Sequence, residues 1–248
     1  MKSSKNKKIA AKKTTGEWIK RKKGVLIVID GIDGAGKGTQ MQLLATYLIG
    51  NKIPYQVLDY PRYGHASAYF VEKYLRGEYG GVKEVGPRKA SLFYALDRFD
   101  QSFELKKWLD QGYVVVSNRY TTSNIGHQAA KIDDDEGRVI FLNWLTELEY
   151  DFLHIPRPDF VICLYIKPEV SQKLINQKAA RTYTHGLQRD IHEDSLSFMK
   201  KSSSRYLWAA KKYGWHVIDC SDDSEIGVRP PQEIHQDIVA LLKKKGIL

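Results

Sequence analysis

The chemistry this chain could perform is concentrated in one short run, Gly31-Ile32-Asp33-Gly34-Ala35-Gly36-Lys37-Gly38-Thr39. Its four glycines leave backbone N–H groups unobstructed and able to converge on an anion, and Lys37 adds an ammonium on a flexible stem. Val25 to Ile29 before the run are all apolar, and Met41, Leu44, Ala45 and Leu48 after it recur at helical spacing. Buried strand, glycine turn and helix in that order are the context of a phosphate-binding P-loop, so Gly31, Gly34, Ala35, Gly36, Lys37, Gly38 and Thr39 are the expected ATP cradle. A dinucleotide fingerprint does not fit, because six-residue frames opening at Gly34 or Gly36 end on Thr39 or Met41. Gly38, not Ser or Thr, follows the lysine, so the hydroxyl that commonly meets Mg²⁺ is displaced by one position to Thr39.

Other polar residues stand where a parallel sheet would bring them beside this loop. Tyr55 to Asp59 reads as a second strand, and the loop leaving it, Tyr60-Pro61-Arg62-Tyr63-Gly64, carries an arginine suited to bidentate phosphate recognition. Tyr113 to Ser117 reads as a third strand that ends on Asn118-Arg119-Tyr120. Asp159 to Ile166 and His216 to Asp219 complete five strands. Helices are expected over 66–76, 88–111, 169–178, 191–213 and 233–244, and this alternation predicts a parallel α/β sheet with helices on both faces. In the second of these helices Leu92, Leu96, Phe99 and Phe103 form the expected core stripe. Phe93 and Arg98 off that stripe offer an aromatic plate and a cation to a planar base. Asn176 to Asp190 is polar, contains Gly186 and carries Lys178, Arg181 and Arg189. Such a segment can act as a lid that brings cations to a transferring phosphoryl group, although a solvated connector would share its composition.

The 248 residues suffice for one sizeable core, and the net charge of +10 is unevenly placed. Ten of the 39 Lys and Arg and one of the 29 acids lie in residues 1–23, so residues 24–248 carry 29 basic side chains against 28 acidic ones. A near-neutral body argues against general nucleic-acid binding, whereas the basic tail, expected to be disordered, could still meet polyanions. The tail lacks the apolar stretch of a secretory signal, and the longest apolar run, Phe160 to Ile166, is too short to span a membrane. Cys163 and Cys220 sit in strand-like runs and read as core thiols of a reducing, cytoplasmic setting.

Taken together, these residues resemble the thymidylate kinase family over about residues 24–245. The resemblance rests on Asp30-Gly31-Ile32-Asp33-Gly34 at the P-loop, Tyr60-Pro61-Arg62 after the second strand, Leu92-Phe93 with Arg98, and Asn118-Arg119-Tyr120-Thr121-Thr122-Ser123-Asn124. Ser195, Phe198 and Arg205-Tyr206 fall where the family has the same residue types. The resemblance implies a P-loop kinase fold and transfer of the ATP γ-phosphoryl group to dTMP, with Mg²⁺ bridging the phosphates. It further implies that Phe93 stacks on thymine, that Arg98 and Asn124 read its polar edge, and that Arg62 and Arg119 bind the dTMP phosphate. Asp33 would approach the sugar or the metal, with Ser123 and His127 also lining the substrate. Lys37, Arg119, Arg181 and Arg189 are the expected catalytic cations, Asp33 and Asn118 the expected metal residues, and a homodimer the expected assembly. Asn118 replaces an aspartate of the family, and His127 stands where relatives often have a tyrosine. Gly34 occupies a position where some relatives place an arginine, so the lid must supply that charge. Another nucleoside-monophosphate or deoxynucleoside kinase, or a nucleotide-binding module with a polyanion-binding tail, are the alternative readings.

Overall fold

The central strand β1 (Val25–Asp30) is buried on both faces along its whole length, as a continuous apolar run demands. In the computed structural model, which describes residues 22–176, 196–224 and 227–248, four further parallel strands flank it. These are β2 (Tyr55–Asp59), β3 (Val114–Asn118), β4 (Phe160–Tyr165) and β5 (His216–Asp219), in the spatial order β2-β3-β1-β4-β5. The register aligns Ile29 with Asn118 and Asn118 with Asp59, so the polar ends of three strands meet on one edge.

Side-chain alternation along β1 divides the core. Val25, Ile27 and Ile29 pack with Leu44 and Leu48 of α1 (Lys37–Gly50), Tyr206 and Ala210 of α7 (Leu196–Tyr213), and Ile234 and Ile238 of α8 (Pro231–Lys244). Leu26 and Val28 face the other way, onto Ala95 and Leu105 of α3 (Val82–Asp110) and onto Tyr120, Leu153 and Ile155. Both cysteines are reduced and buried in the first cluster, and burial pushes each thiol to about 12. The other α-helices among the described residues are α2 (Tyr69–Leu75), the short turn α4 (Thr121–Ser123), α5 (Asp135–Thr146) and α6 (Pro168–Asn176). The five-stranded parallel sheet with helices on both faces is thus as expected from the sequence. Among the described residues no helix is long and apolar enough to cross a membrane.

Two expectations need correction or completion. The stripe of Leu92, Leu96 and Phe103 is not core: these residues are exposed, Phe103 by 56%, and the buried residues of α3 include Ala90, Ser91, Ala95, Arg98, Ser102 and Leu105. Small residues let the helix lie close to the sheet, and Arg98 is buried because an acid meets it there. Residues 125–158 carry no clear local pattern in the sequence. That stretch holds α5 and two wide π turns, Asn124–Gln128 and Glu147–Phe152. Most of the basic tail, the lid segment beyond Asn176, and Ser195 lie outside the described residues.

The first π turn is pressed against α7 so closely that a Cβ on Gly126 would stand 2.2 Å from the Tyr206 ring. Tyr206 is fully packed and cannot retreat. Gly126→Ala should therefore destabilise the fold by about 1–3 kcal/mol, as overpacking does. Scanning calorimetry should show a melting temperature lowered by several degrees, and an unchanged transition would mean that α7 yields to the added methyl.

Candidate active site

The P-loop and the polar ends of β2 and β3 open into one cavity of about 340 Å³. Gly34, Gly36, Lys37, Gly38 and Thr39 form one wall of it, while Gly31 and the buried Ala35 stand behind that wall. Gly31 is required where it is: its φ is +139° and a Cβ there would lie 2.3 Å from the Leu164 carbonyl oxygen. Gly36, at φ +85°, turns the chain into α1, whose N-terminal end is thereby aimed at the cavity. Lys37 is 6% exposed; its Nζ donates to the carbonyl oxygens of Gly31 at 3.0 Å and Ile32 at 2.8 Å and stands 3.8 Å from Asp33. The ammonium is therefore stored across its own loop, within reach of a phosphate on that loop.

Asp30, at the end of β1, has no exposure to solvent and accepts from four groups. Its donors are Gly31 N at 2.8 Å, Thr122 Oγ1 at 2.5 Å, Ser123 Oγ at 2.8 and 2.9 Å, and Tyr206 Oη at 2.8 Å. Its oxygens are committed to ordering the loop, the turn after β3 and α7, which leaves them poorly placed to hold a metal. Ser123 lines the cavity, but its hydroxyl is likewise directed at Asp30.

Arg119 adopts a left-handed backbone, φ 61°, with its N–H bonded to the Ile29 carbonyl at 3.0 Å. That turn returns its guanidinium over the P-loop, where it pairs with Asp33 and reaches His127 Nε2 at 3.1 Å. Burial alone would lower the Arg119 pKa. The Asp33 carboxylate, followed by Tyr206 and Asp30, outweighs that and holds it well above its ordinary value. His127 is shifted the other way, from 6.5 to about 3, by burial and then by the Arg119 charge. A neutral ring accepting from Arg119 at Nε2 carries its proton on Nδ1, which faces Ser202 Oγ at 3.5 Å.

At the far end of the cavity Arg98, Asn124, Gln128, Tyr94 and Leu75 form the wall. Arg98 is 2% exposed and donates through Nε and Nη2 to the two oxygens of Glu149, at 2.7 and 2.6 Å. Asn124 Nδ2 donates to the same carboxylate at 2.9 Å and to the Ser91 carbonyl at 3.3 Å. Gln128 is also buried, and its Oε1 accepts no hydrogen bond from the described residues. The expected aromatic plate, Phe93, is not on this wall. It stacks on Phe70 with centroids 5.8 Å apart and packs with Val71, Tyr74 and Val85. Tyr94 stands there instead. It lies four residues before Arg98, one helical turn away, and that spacing was the signal available in the sequence.

Arg62 is also displaced from its expected role. Its guanidinium donates to Asp97 Oδ1 at 2.9 Å, Gln101 Oε1 at 2.5 Å, Ser67 Oγ at 2.6 Å, the Asp97 carbonyl at 3.1 Å and Asp100 Oδ2 at 2.5 Å. Its neighbours Pro61 and Tyr63 line the cavity while Arg62 braces their loop against α3. The expected lid cations Arg181 and Arg189 lie outside the described residues.

The mouth of the P-loop offers oxygen donors that fit a hard divalent cation. Asn118 Nδ2 donates to Asp59 Oδ1 at 2.6 Å, while its buried Oδ1 has no hydrogen-bond partner among the described residues. Asp33, Asp59 and Asn118 all line the cavity. Burial pushes the Asp59 pKa up, against Asn118, Arg119 and Lys37, which pull it down. Among the described residues no group of three or more His, Cys, Asp or Glu is arranged as a self-sufficient metal site. Phosphate oxygens would have to complete any coordination here. Asp59 was not anticipated, although its place at the end of β2, in register with Asn118, marks it.

The His127 shift has a measurable sign. The unfolded ring takes up a proton near pH 6.5 and the folded ring only near 3, so stability from this group is present above 6.5 and lost as pH falls toward 3. Between pH 7 and pH 5 the loss is at most about 2 kcal/mol, reduced because the ring is part-exposed at the cavity. Urea unfolding at both pH values should give a smaller difference for His127→Gln than for the native chain; equal differences would show that His127 protonates in the fold.

Comparison with known proteins agrees with this geometry. The family model described as thymidylate kinase matches residues 29–229. A probable thymidylate kinase of Pyrobaculum aerophilum is 30% identical over 222 residues, covering 88% of this chain and 96% of that protein. The thymidylate kinase of Mycobacterium tuberculosis is 30% identical over 204 residues, covering 80% and 93%. In fold, the chain is similar to the solved thymidylate kinase of Candida albicans, with a TM-score of 0.68 at 19% identity over 91% of this chain and 93% of that one. The glycine cradle, the cation set around it and the matched span lead to one conclusion: this chain belongs to the thymidylate kinase family.

Proposed function

We infer that the protein transfers the γ-phosphoryl group of ATP to dTMP, giving dTDP for deoxynucleotide synthesis. The observation that carries this reading is a single cavity joining a P-loop, which fits a phosphate chain, to a buried Arg98–Asn124 pair that fits the polar edge of a base. Tyr94 and Leu75 supply apolar surface beside that pair.

Catalysis on this reading is alignment and charge neutralisation, since a loose phosphoryl-transfer transition state needs little covalent help. The α1 N-terminus and Lys37 neutralise the phosphate oxygens of ATP. Arg119, charged at every working pH, faces the acceptor phosphate and is steered by Asp33 and His127. Asp33, Asp59 and Asn118 Oδ1 are the residues that would hold Mg²⁺ together with the phosphates, and the ion would add charge neutralisation at the bridging oxygens. Gly34 leaves the loop without an arginine of its own, which supports keeping Arg181 and Arg189 as the lid cations. The buried reduced cysteines accord with a cytoplasmic setting.

The exposed stripe of α3 supports a homodimer. The exposed Leu92, Leu96 and Phe103 and the half-buried Phe99 follow the 4-3-4 spacing of a helix-pairing seam, and a near-neutral body opposes self-association only weakly. Sedimentation should give a dimer mass for the native chain and a monomer for Phe103→Glu; a native monomer would refute the assembly.

A coupled ADP-release assay across dTMP, dUMP, dCMP, UMP, AMP and thymidine tests the function. dTMP should be among the best acceptors, and its failure would overturn the reading. Lys37→Ala should lower kcat with dTMP by several orders of magnitude while the protein stays folded. Near-native turnover would exclude a P-loop mechanism.

A further inference from the structure

Glu149 is fully buried in the second π turn and forms no part of the cavity wall, yet two of the polar side chains at the base end of the cavity, Arg98 and Asn124, are bonded to it. It takes Arg98 through two donors, at 2.7 and 2.6 Å, and Asn124 Nδ2 at 2.9 Å. The second amide hydrogen of Asn124 goes to the Ser91 carbonyl at 3.3 Å. With both hydrogens engaged, the amide has only its carbonyl oxygen left to offer to the cavity it lines. Arg98 Nη1 also donates to the Tyr120 carbonyl at 3.3 Å, and one hydrogen on each terminal nitrogen is left over. The wall thus presents a donor from Arg98 next to an acceptor from Asn124.

We propose that Glu149, without touching the substrate, fixes this donor-and-acceptor pattern and so sets a preference for a keto pyrimidine over an amino pyrimidine. A thymine or uracil ring offers a carbonyl oxygen at C4 and a hydrogen on N3, the complement of a donor beside an acceptor. Cytosine offers amino hydrogens at C4 and a lone pair on N3, which meet the same wall donor to donor and acceptor to acceptor. Because Glu149 only accepts, it cannot tolerate a flipped Asn124, whose oxygen would then face the carboxylate. Glu149 is therefore a positioning residue for substrate choice, and this role rests on the dTMP reading above.

Glu149→Gln keeps the shape and replaces one acceptor oxygen by a donor NH₂, so Arg98 or Asn124 must turn. The expected result is a rise in KM for dTMP with KM for ATP unchanged. The ratio of kcat/KM for dTMP over dCMP should fall by at least about tenfold, since leaving a base edge unmatched is what enforces such selectivity. A purely structural role would lower the melting temperature and leave that ratio intact, and a folded variant with the native ratio overturns the proposal. If Glu149→Gln does not fold, Glu149→Asp, which keeps the charge and withdraws it by one methylene, decides the matter: a lowered ratio supports the role and an unchanged ratio removes it. Failure of the native chain to phosphorylate dTMP would instead refute the function and this role with it.

Discussion

A carboxylate without access to water ends the central strand, and three separate stretches of chain supply its hydrogen bonds. Asp30 accepts from the first P-loop amide, from Thr122 and Ser123 in the turn after β3, and from Tyr206 on α7. A buried carboxylate left without such donors would cost several kcal/mol, so these groups must arrive together for the fold to close. The nucleotide loop, the acceptor wall and the helix behind them are consequently held in one geometry. Arg119 and Asn118, next to that turn, inherit their positions from it.

The charge arrangement around this anchor follows from position on the sheet edge. Asn118 carries no charge, but its partner in register, Asp59, brings a carboxylate to the same place from the neighbouring strand. Asp33 and Arg119 balance one another across the cavity mouth. The pair leaves His127 beside a permanent cation, which together with burial keeps the ring neutral.

What the sequence revealed follows the range of the forces involved. Strands of consecutive apolar residues and a glycine turn are local signals, and β1, β3 and the P-loop fall where those signals place them. The stripe on α3 is equally periodic, but periodicity marks a face without telling what covers it, and the covered face proved to be the one with Ala90, Ser91 and Ala95. Arg98 is buried because of an acid 51 residues away, and Arg62, in the loop after β2, turns from the cavity because Asp97, Asp100 and Gln101 of α3 collect it. Such pairings have no local trace. Tyr94 was legible through its four-residue spacing from Arg98, whereas Glu149 lies in a stretch that offered no pattern at all.

In both turns that carry the base-facing network, Asn124–Gln128 and Glu147–Phe152, each backbone hydrogen bond spans one residue more than in an α-helix. An α-helical residue advances about 100° around its axis, so losing a single residue from either turn would swing the flanking side chains by that angle. Substitutions on the outer surface of these segments alter one side chain, but a one-codon deletion would carry Asn124 or Glu149 off its partner while leaving the rest of the sheet intact. The evolutionary record of this active site should therefore be written in conserved segment lengths as much as in conserved residues.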